Sequence, residues 1–191
     1  MTNGEYMQIS SQFKYTVDLG VQATKATFRL KKTKKDTIMH YVILGFIVLM
    51  IGALIWDIVR GESFVINLIL LIALVCAEIF DLVMPLIIIT TQKKFLRKLN
   101  LAEIDYTVTE IIKDKCFEKY YKNNKIEMQN VCDMNKLVAY EIRDNYAFIV
   151  FNNFACAIFD LNTLTVSVEE FEKELNIIIS KNKSTKSKRR I

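Results

Sequence analysis

Two long apolar runs with a short polar break between them constrain this chain more than any other feature of its sequence. The first run covers residues 38–59 and the second covers residues 64–90. An α-helix needs about 20 mainly apolar residues to cross the hydrocarbon core of a bilayer, which is roughly 30 Å thick. Both runs reach this length, so the sequence predicts a hairpin of two transmembrane helices within residues 38–92.

The break between the runs predicts a tight turn. Gly61 lies in this break, and glycine adopts the positive φ angles of turns without a steric cost. The two helices are then antiparallel, and residues at equal depth have numbers that sum to about 121. The connection is too short to hold a domain on the far side of the membrane.

Lysine and arginine residues are concentrated at the outer ends of the predicted hairpin, whereas the loop contains only Arg60. The basic residues are Lys25, Arg29, Lys31, Lys32, Lys34 and Lys35 before the first run, and Lys93, Lys94, Arg97 and Lys98 after the second. Cytoplasmic flanks of membrane spans carry an excess of such residues. We therefore predict a multi-pass protein of the cell membrane with both termini in the cytoplasm.

Two other classes of protein fit this composition less well. A soluble protein with a buried helical hairpin would need more aqueous chain to cover two apolar helices on all sides. The formal net charge of +5 is compatible with nucleic-acid binding. However, the basic residues cluster beside the apolar runs and at the C-terminus, where anionic lipid is the simpler partner. We therefore predict membrane lipid as a partner and no nucleic acid.

Three ionisable residues lie near the cytoplasmic end of the predicted hairpin. The register sets His40 opposite Asp81 and close to Glu78, and the two carboxylates share a helical face. Carboxylates within a span are costly unless they are paired or hydrated, so the only histidine of the chain is a candidate for a polar clasp with them. The favoured alternative is a tilted or protruding helix with hydrated carboxylates and no clasp. The spacing does not decide which carboxylate His40 would pair with.

Small residues in both runs predict close packing of the two helices. Gly45 and Gly52 lie on one face of the first run, and Ala73 and Ala77 lie four residues apart in the second. Small residues let the backbones of membrane helices approach closely. The equal alternative is that these residues have no role in the helix contact.

The segment over residues 1–37 predicts a strand followed by a lead-in helix. Apolar and polar residues alternate from Phe13 to Leu19 with the two-residue period of a strand, and Gly20 ends the pattern. Good helix formers with one apolar side then extend from Val21 to Lys35. This pattern predicts an amphipathic helix that leads into the first span.

Residues 93–180 predict a cytoplasmic sheet domain closed by a helix. The strand-like segments, most of them separated by Asn-rich turns, are Ile104–Ile112, Cys116–Lys122, Lys125–Met128, Leu137–Arg143, Tyr146–Phe151 and Ala155–Asp160. Ser167 and Glu170 have the spacing of a capping box before a helix with one apolar face. The predicted fold class is an α+β membrane protein with a transmembrane hairpin and a small antiparallel sheet domain.

The order of these features resembles the YcxB-like family of bacterial membrane proteins. The resemblance rests on the segment FKYTVDL, two spans with a minimal loop, the segment NYAFIVFNNFACAIFD and the final VEEFEKELNIII helix. It implies that the sheet domain is pleckstrin-homology-like. Family members often have a tryptophan in the middle strand and an Ile-Pro-Lys-like step before the last helix, whereas this chain has Leu137–Tyr140 and Ile158–Asp160 there. The family supplies no established activity to transfer.

The sequence lacks the residue patterns of an enzyme. The only histidine is predicted near the membrane, away from the cysteines of the strands. The five glycines build no phosphate-binding loop in the sheet domain. The four cysteines are widely spaced without a C-x-x-C pair, which is typical of reduced core residues. We therefore predict no catalytic residue, no cofactor and no metal.

The C-terminal segment over residues 181–191 is basic and predicts a disordered tail. Its candidate lipid contacts are Lys186, Lys188, Arg189 and Arg190, because basic side chains are attracted to an anionic leaflet. The alternative is a tail that enforces topology or solubility. A second basic group, Lys115, Lys119, Lys122 and Lys125, lies near the Asn123-Asn124 turn, where a solvated loop is favoured over phosphate binding.

The absence of catalytic patterns favours a non-catalytic, membrane-tethered interaction module whose cytoplasmic domain recognises a protein segment or lipid headgroup. Two alternatives stay open. The chain would be an immunity or protective protein against a membrane-active toxin, or an accessory subunit of a transporter or secretion complex. The identity of the protein partner and the formation of a homo-oligomer are not decided by the sequence.

Overall fold

The computed structural model describes residues 8–32, 34–61, 65–98 and 101–188. In chain order its strands and α-helices are β1 (Ile9–Phe13), α1 (Val17–Lys31), α2 (Lys34–Arg60), α3 (Val65–Lys98), β2 (Tyr106–Ile112), β3 (Lys115–Lys122), β4 (Lys125–Asp133), β5 (Leu137–Arg143), β6 (Tyr146–Phe151), β7 (Cys156–Asp160) and α4 (Val168–Lys188). The chain divides into a helical unit, Lys32–Thr90, and a sheet unit that combines Met1–Lys31 with Thr91–Ile191. The predicted α+β class is confirmed.

The helical unit contains the two apolar helices that the sequence predicts. Both α2 and α3 are long and apolar enough to cross a membrane, and their most apolar stretches are almost entirely unburied, with 0% of that of α2 and 6% of that of α3 buried. The turn after α2 includes Gly61 at φ +71°, a left-handed conformation that favours glycine. Each helix continues beyond its predicted span on the side away from this turn.

The strands of the sheet unit form two antiparallel sheets, one with the order β1-β2-β3-β4 and one with the order β5-β6-β7. β1 pairs with β2 in the register Ile9 opposite Ile111, so the apolar helices are inserted in the sequence between two paired strands. β4 continues past its predicted end at Met128 because Val131 and Cys132 still pair with residues of β3.

The strand predicted over Phe13–Leu19 is wrong. The Thr16 hydroxyl accepts a hydrogen bond from the Leu19 backbone N–H at 3.2 Å, so Thr16 caps a helix that begins at Val17. This cap takes precedence over the alternating pattern, and the strand lies earlier, at Ile9–Phe13. Gly20 is inside α1, where an added Cβ atom would lie 2.5 Å from Leu96 Cδ1.

α1 packs on the three-stranded sheet and is part of the sheet unit. Its residues Leu19, Ala23 and Ala26 form a buried cluster with Phe148 and Ile158, and its Arg29 guanidinium makes a two-pronged ion pair with Glu141 of β5. The predicted lead-in to the first span therefore ends at Lys31 and docks on the sheet.

The main core lies between the sheets and α4. Phe171 and Leu175 of α4 are fully buried in one cluster with Phe151 and Phe159. The predicted capping box is confirmed, since the Ser167 Oγ accepts from the Glu170 N–H at 3.2 Å and the Glu170 carboxylate accepts from the Ser167 N–H at 3.4 Å. β6 is buried on both faces, which explains its continuous apolar sequence.

The tail predicted to be disordered from residue 181 is helical through Lys188. The Asn182 side-chain amide donates hydrogen bonds to the backbone carbonyls of Met134 at 2.9 Å and Leu137 at 3.0 Å. These bonds tie the segment to the sheet unit, and this is the reason that the composition of the tail gave a wrong boundary. Residues 189–191 lie outside the described residues.

The Asn-rich turns show one departure from the sequence pattern. Asn123, Asn124, Asp144 and Asn145 have the positive φ angles that tight hairpin turns require. In the β6–β7 turn, however, the left-handed residue is Phe154 at φ +64°, and neither Asn152 nor Asn153 has a positive φ. A phenylalanine therefore occupies the conformation that asparagine tolerates better.

Candidate functional site

The structure brings together two of the three residues of the predicted polar clasp. His40 on α2 places Nδ1 2.7 Å from Glu78 Oε2 on α3, and the side chains are 39% and 9% exposed. Asp81 is exposed, and within the described residues no ion pair joins it to His40. The favoured expectation of hydrated carboxylates without a clasp therefore applies to Asp81 and not to Glu78.

The environment of Glu78 is unusual for a carboxylate. Glu78 and Leu96 are the buried residues of the described α3, whose other side chains are mostly exposed and apolar. The Oε1 atom of Glu78 is buried without a hydrogen-bond partner among the described residues. The His40 imidazole contacts the other carboxylate oxygen, Oε2, and this contact offsets part of the cost of removing the carboxylate from water.

A second polar contact joins the helices near the turn. The Asn67 side-chain amide donates to Asp57 Oδ2 at 2.6 Å. Both this contact and the pair of His40 with Glu78 fit the predicted antiparallel register within about one helical turn. The sequence analysis missed Asn67, although the same depth rule applied to Asp57 leads to its neighbourhood.

Of the two alternatives for the small residues, the one in which they have no role in the helix contact agrees with the structure. Gly45 and Gly52 are exposed, and a Cβ atom added at either position would meet nothing within 4 Å. Ala73 and Ala77 are exposed as well. The half-buried apolar residues of α2 include Ile47, Met50 and Leu54 instead, so the faces that carry the small residues are left uncovered.

The sheet unit contains a buried polar cluster that the sequence analysis missed. Glu118 on β3 is 6% exposed, and it accepts hydrogen bonds from the Tyr120 hydroxyl at 2.7 Å and from the Asn130 amide at 3.3 Å. On the neighbouring strand β2, Thr109 pairs with Glu118 and Thr107 pairs with Tyr120. The hydroxyls of both threonines are buried without a hydrogen-bond partner among the described residues. The alternation of β3 was the available signal, because Glu118 shares a face with Cys116 and Tyr120.

Burial controls the protonation of this cluster. It raises the pKa of the Glu118 carboxyl above its ordinary value, and the hydrogen bonds from Tyr120 and Asn130 lower that pKa only in part. Burial and the neighbouring carboxyl also raise the pKa of the Tyr120 hydroxyl, and the same effects raise the pKa of Tyr15. The environment of Glu118 therefore disfavours its charged form relative to a solvated carboxyl group.

We expect replacement of Glu118 by glutamine to raise the free energy of unfolding at neutral pH. The folded state keeps the proton above pH 4.5, the ordinary carboxyl value, while the unfolded state loses it, so the parent loses stability as pH rises toward the raised pKa. Glutamine has the shape of the protonated acid and removes this dependence. Denaturant unfolding of the purified full chain, repeated between pH 4 and pH 8 in steps of roughly half a pH unit, measures the effect.

Glu127→Gln on β4 is the matched control, because Glu127 is exposed on the adjacent strand. Its free energy of unfolding should follow that of the parent at every pH. A Glu118→Gln variant that is less stable than the parent at neutral pH and keeps the parental pH dependence would contradict the protonated state of Glu118.

The cysteines of the sheet unit are free thiols in apolar surroundings. Burial raises the pKa of Cys156 to about 12, and it also raises the pKa of Cys116 and Cys132. A raised pKa disfavours the thiolate, which is the nucleophilic and metal-binding form. The prediction of reduced cysteines agrees with the structure, although Cys76 is exposed on α3 rather than buried.

Two of the four lysines near the Asn123-Asn124 turn already have carboxylate partners. Lys119 forms an ion pair with Glu110, and Lys122 forms one with Glu103. These pairs favour the solvated basic loop over a phosphate site. Of the four candidate lipid contacts in the tail, Lys186 and Lys188 lie in the last turn of α4, but the structure does not describe their side chains. Arg189 and Arg190 lie outside the described residues.

The described ranges of the chain contain no group of three or more His, Cys, Asp or Glu residues that could hold a metal ion. No protein-family model, no curated protein and no solved structure matches this chain. The function is therefore inferred from the placement of its own residues.

Proposed function

We propose that this chain is a non-catalytic, membrane-tethered interaction module whose sheet unit recognises a protein segment or a lipid headgroup. The observation that carries this proposal is the exposure of α2 and α3. A core helix of a soluble protein buries its apolar side chains, whereas the most apolar stretches of these helices are 0% and 6% buried. Water does not tolerate an apolar surface of this extent, and lipid does.

The insertion of the hairpin within the sheet unit supports the tethering role. The chain leaves the sheet unit after α1 and returns to it before β2, and β1 and β2 pair with each other. The hairpin thus holds the sheet unit at two points of the chain. The basic residues at these two points support a cytoplasmic sheet unit and cytoplasmic termini.

The arrangement of strands supports a relation to pleckstrin-homology-like domains. A four-stranded and a three-stranded antiparallel sheet are followed by a C-terminal helix that packs in the core. This arrangement agrees with what the resemblance to the YcxB-like family implies. The hairpin and α1 then form an insertion after the first strand.

The chemistry of the buried groups supports a non-catalytic role. The thiols of Cys116 and Cys156 have raised pKa values, and Glu118 favours its protonated form. Within the described residues His40 contacts a carboxylate in the helical unit, whereas the thiols of Cys116, Cys132 and Cys156 belong to the sheet unit. None of these groups has the raised reactivity of a catalytic nucleophile, and recognition is left to the surface.

The uncovered helix faces favour a second candidate function, in which the spans themselves bind another membrane protein. Gly45 and Gly52 have open space around them, and small residues are typical of contacts between membrane helices. An immunity protein against a membrane-active toxin, or an accessory subunit of a transporter or secretion complex, would use such faces.

Exchange of the helical unit separates the two functions. The segment Lys32–Thr90 is replaced in the full chain by an unrelated two-span hairpin, and partners are captured from native membranes in mild detergent beside the parent protein. The proposed module keeps its partner after the exchange. Loss of the partner, with the sheet unit still folded, favours recognition by the spans, and reproducible turnover of a substrate without a partner would overturn the non-catalytic assignment.

A further inference from the structure

The β6–β7 turn presents an aromatic side chain to solvent in a strained backbone conformation. Phe154 is 66% exposed, and its φ angle is +64°. A bulky side chain in the left-handed region crowds the following carbonyl oxygen, and glycine or asparagine fits this position better. Neither burial nor turn geometry favours a phenylalanine at this position, which points to a role for the exposed ring.

Lys31 fixes this turn to the end of α1. Its Nζ atom lies 3.3 Å from the centre of the Phe154 ring, and it donates a hydrogen bond to the Asn152 carbonyl oxygen at 2.8 Å. The ammonium group therefore stands beside an exposed aromatic ring. An amphipathic pair of this kind suits the boundary between water and lipid, where aromatic rings and basic side chains are enriched.

Lys31 is the last residue of α1, and α2 begins at Lys34, so only two residues separate them in the sequence. The turn is attached to Lys31 by direct contacts. The turn is therefore fixed to the residue after which the chain leaves the sheet unit for α2.

We propose that the turn Asn152–Phe154 is a second, non-spanning membrane contact, in which Phe154 inserts into the interfacial layer of the phospholipid leaflet that α2 enters. Lys31 lies where its ammonium group meets the lipid phosphates, and the exposed Lys32 follows it. This inference rests on the proposed membrane tether. It adds a site at which the sheet unit itself touches lipid.

Tryptophan fluorescence in proteoliposomes tests the contact, because Trp56 is the only tryptophan of the chain. The parent reports on the span, and the double variant Trp56→Phe, Phe154→Trp reports on the turn. Bromine atoms on the upper acyl chain of phosphatidylcholine quench tryptophans that touch the interface. Val131→Trp in the Trp56→Phe background is the matched control, because Val131 is an exposed apolar residue of β4.

The expected result is a loss of emission at position 154 that approaches the loss at Trp56 and exceeds the loss at position 131. Quenching at Trp56 with none at position 154 beyond the control would overturn the lipid contact and leave the tether in place. No quenching at Trp56 would instead overturn the tether. If Phe154→Trp alters the melting of the sheet unit, Asn153→Trp reports from the same exposed turn under the same criteria.

Discussion

Replacement of Phe171 by alanine is expected to lower the free energy of unfolding of the sheet unit by about 3–5 kcal/mol. Phe171 is fully buried, and its ring centre lies 5.1 Å from that of Phe159 across the contact between α4 and the sheet. The loss combines the transfer free energy of the ring with the cavity that it leaves. The free energy of unfolding of a domain of this size is about 5–15 kcal/mol, so the loss is a large fraction of the total stability.

Denaturant unfolding of the full chain in detergent, followed by the circular dichroism of the sheet unit, measures this loss. Ile177→Ala is the matched control, because Ile177 is exposed on the same helix and its truncation should change stability by less than about 0.5 kcal/mol. Equal stability changes for the two variants would show that α4 does not close the core.

Replacement of Val48 by arginine is expected to reduce insertion of the hairpin into membranes by about two orders of magnitude. Val48 lies near the middle of α2 and is exposed, so the arginine would face lipid. A charged residue at the centre of a membrane helix costs about 2.5–3.5 kcal/mol on insertion scales. The proportion of chain that resists alkaline extraction from isolated membranes measures the effect.

Val131→Arg provides the control for this experiment, because Val131 is an exposed valine of the sheet unit. This variant should resist alkaline extraction as the parent does. If Val48→Arg also resists extraction as the parent does, α2 is not in contact with lipid at that position and the tether is wrong. The two valines therefore test the same substitution in two environments.

The local patterns of the sequence predicted the corresponding helices and turns well. The apolar runs predicted the two helices, the pairs Asn123-Asn124 and Asp144-Asn145 predicted two tight turns, and the spacing of Ser167 and Glu170 predicted the start of α4. Each of these signals is local, because it depends on residues that lie close together in the chain. A local pattern predicts the final structure correctly when no tertiary contact favours a different one.

The N-terminal error has a physical cause in two competing local patterns. The alternation from Phe13 to Leu19 fits a strand, but it also places apolar residues where a capped helix would bury them. The Thr16 cap decides the outcome, and β1 is specified by its distant partner Ile111 rather than by its own polar sequence. Pairing over such a separation leaves no local signal.

The candidate sites also differ in whether local patterns of the sequence predict them. The depth rule brought His40 near Glu78 because a helical hairpin has one simple register. Glu118 was overlooked although it alternates with Cys116 and Tyr120 along β3, because an acidic residue among lysines is usually solvated. Its burial follows from the packing of the two sheets, and the anchoring of the tail by Asn182 follows from contacts with residues far away in the chain.

The pairing of β1 with β2 has a consequence for the order of events during synthesis. β1 emerges from the ribosome first, yet its partner strand follows only after both apolar helices have been made. Closure of so long a segment is slow and entropically costly until its ends are brought together. A correctly formed helical hairpin would bring them together, so formation of the helical unit becomes a precondition for completing the sheet unit.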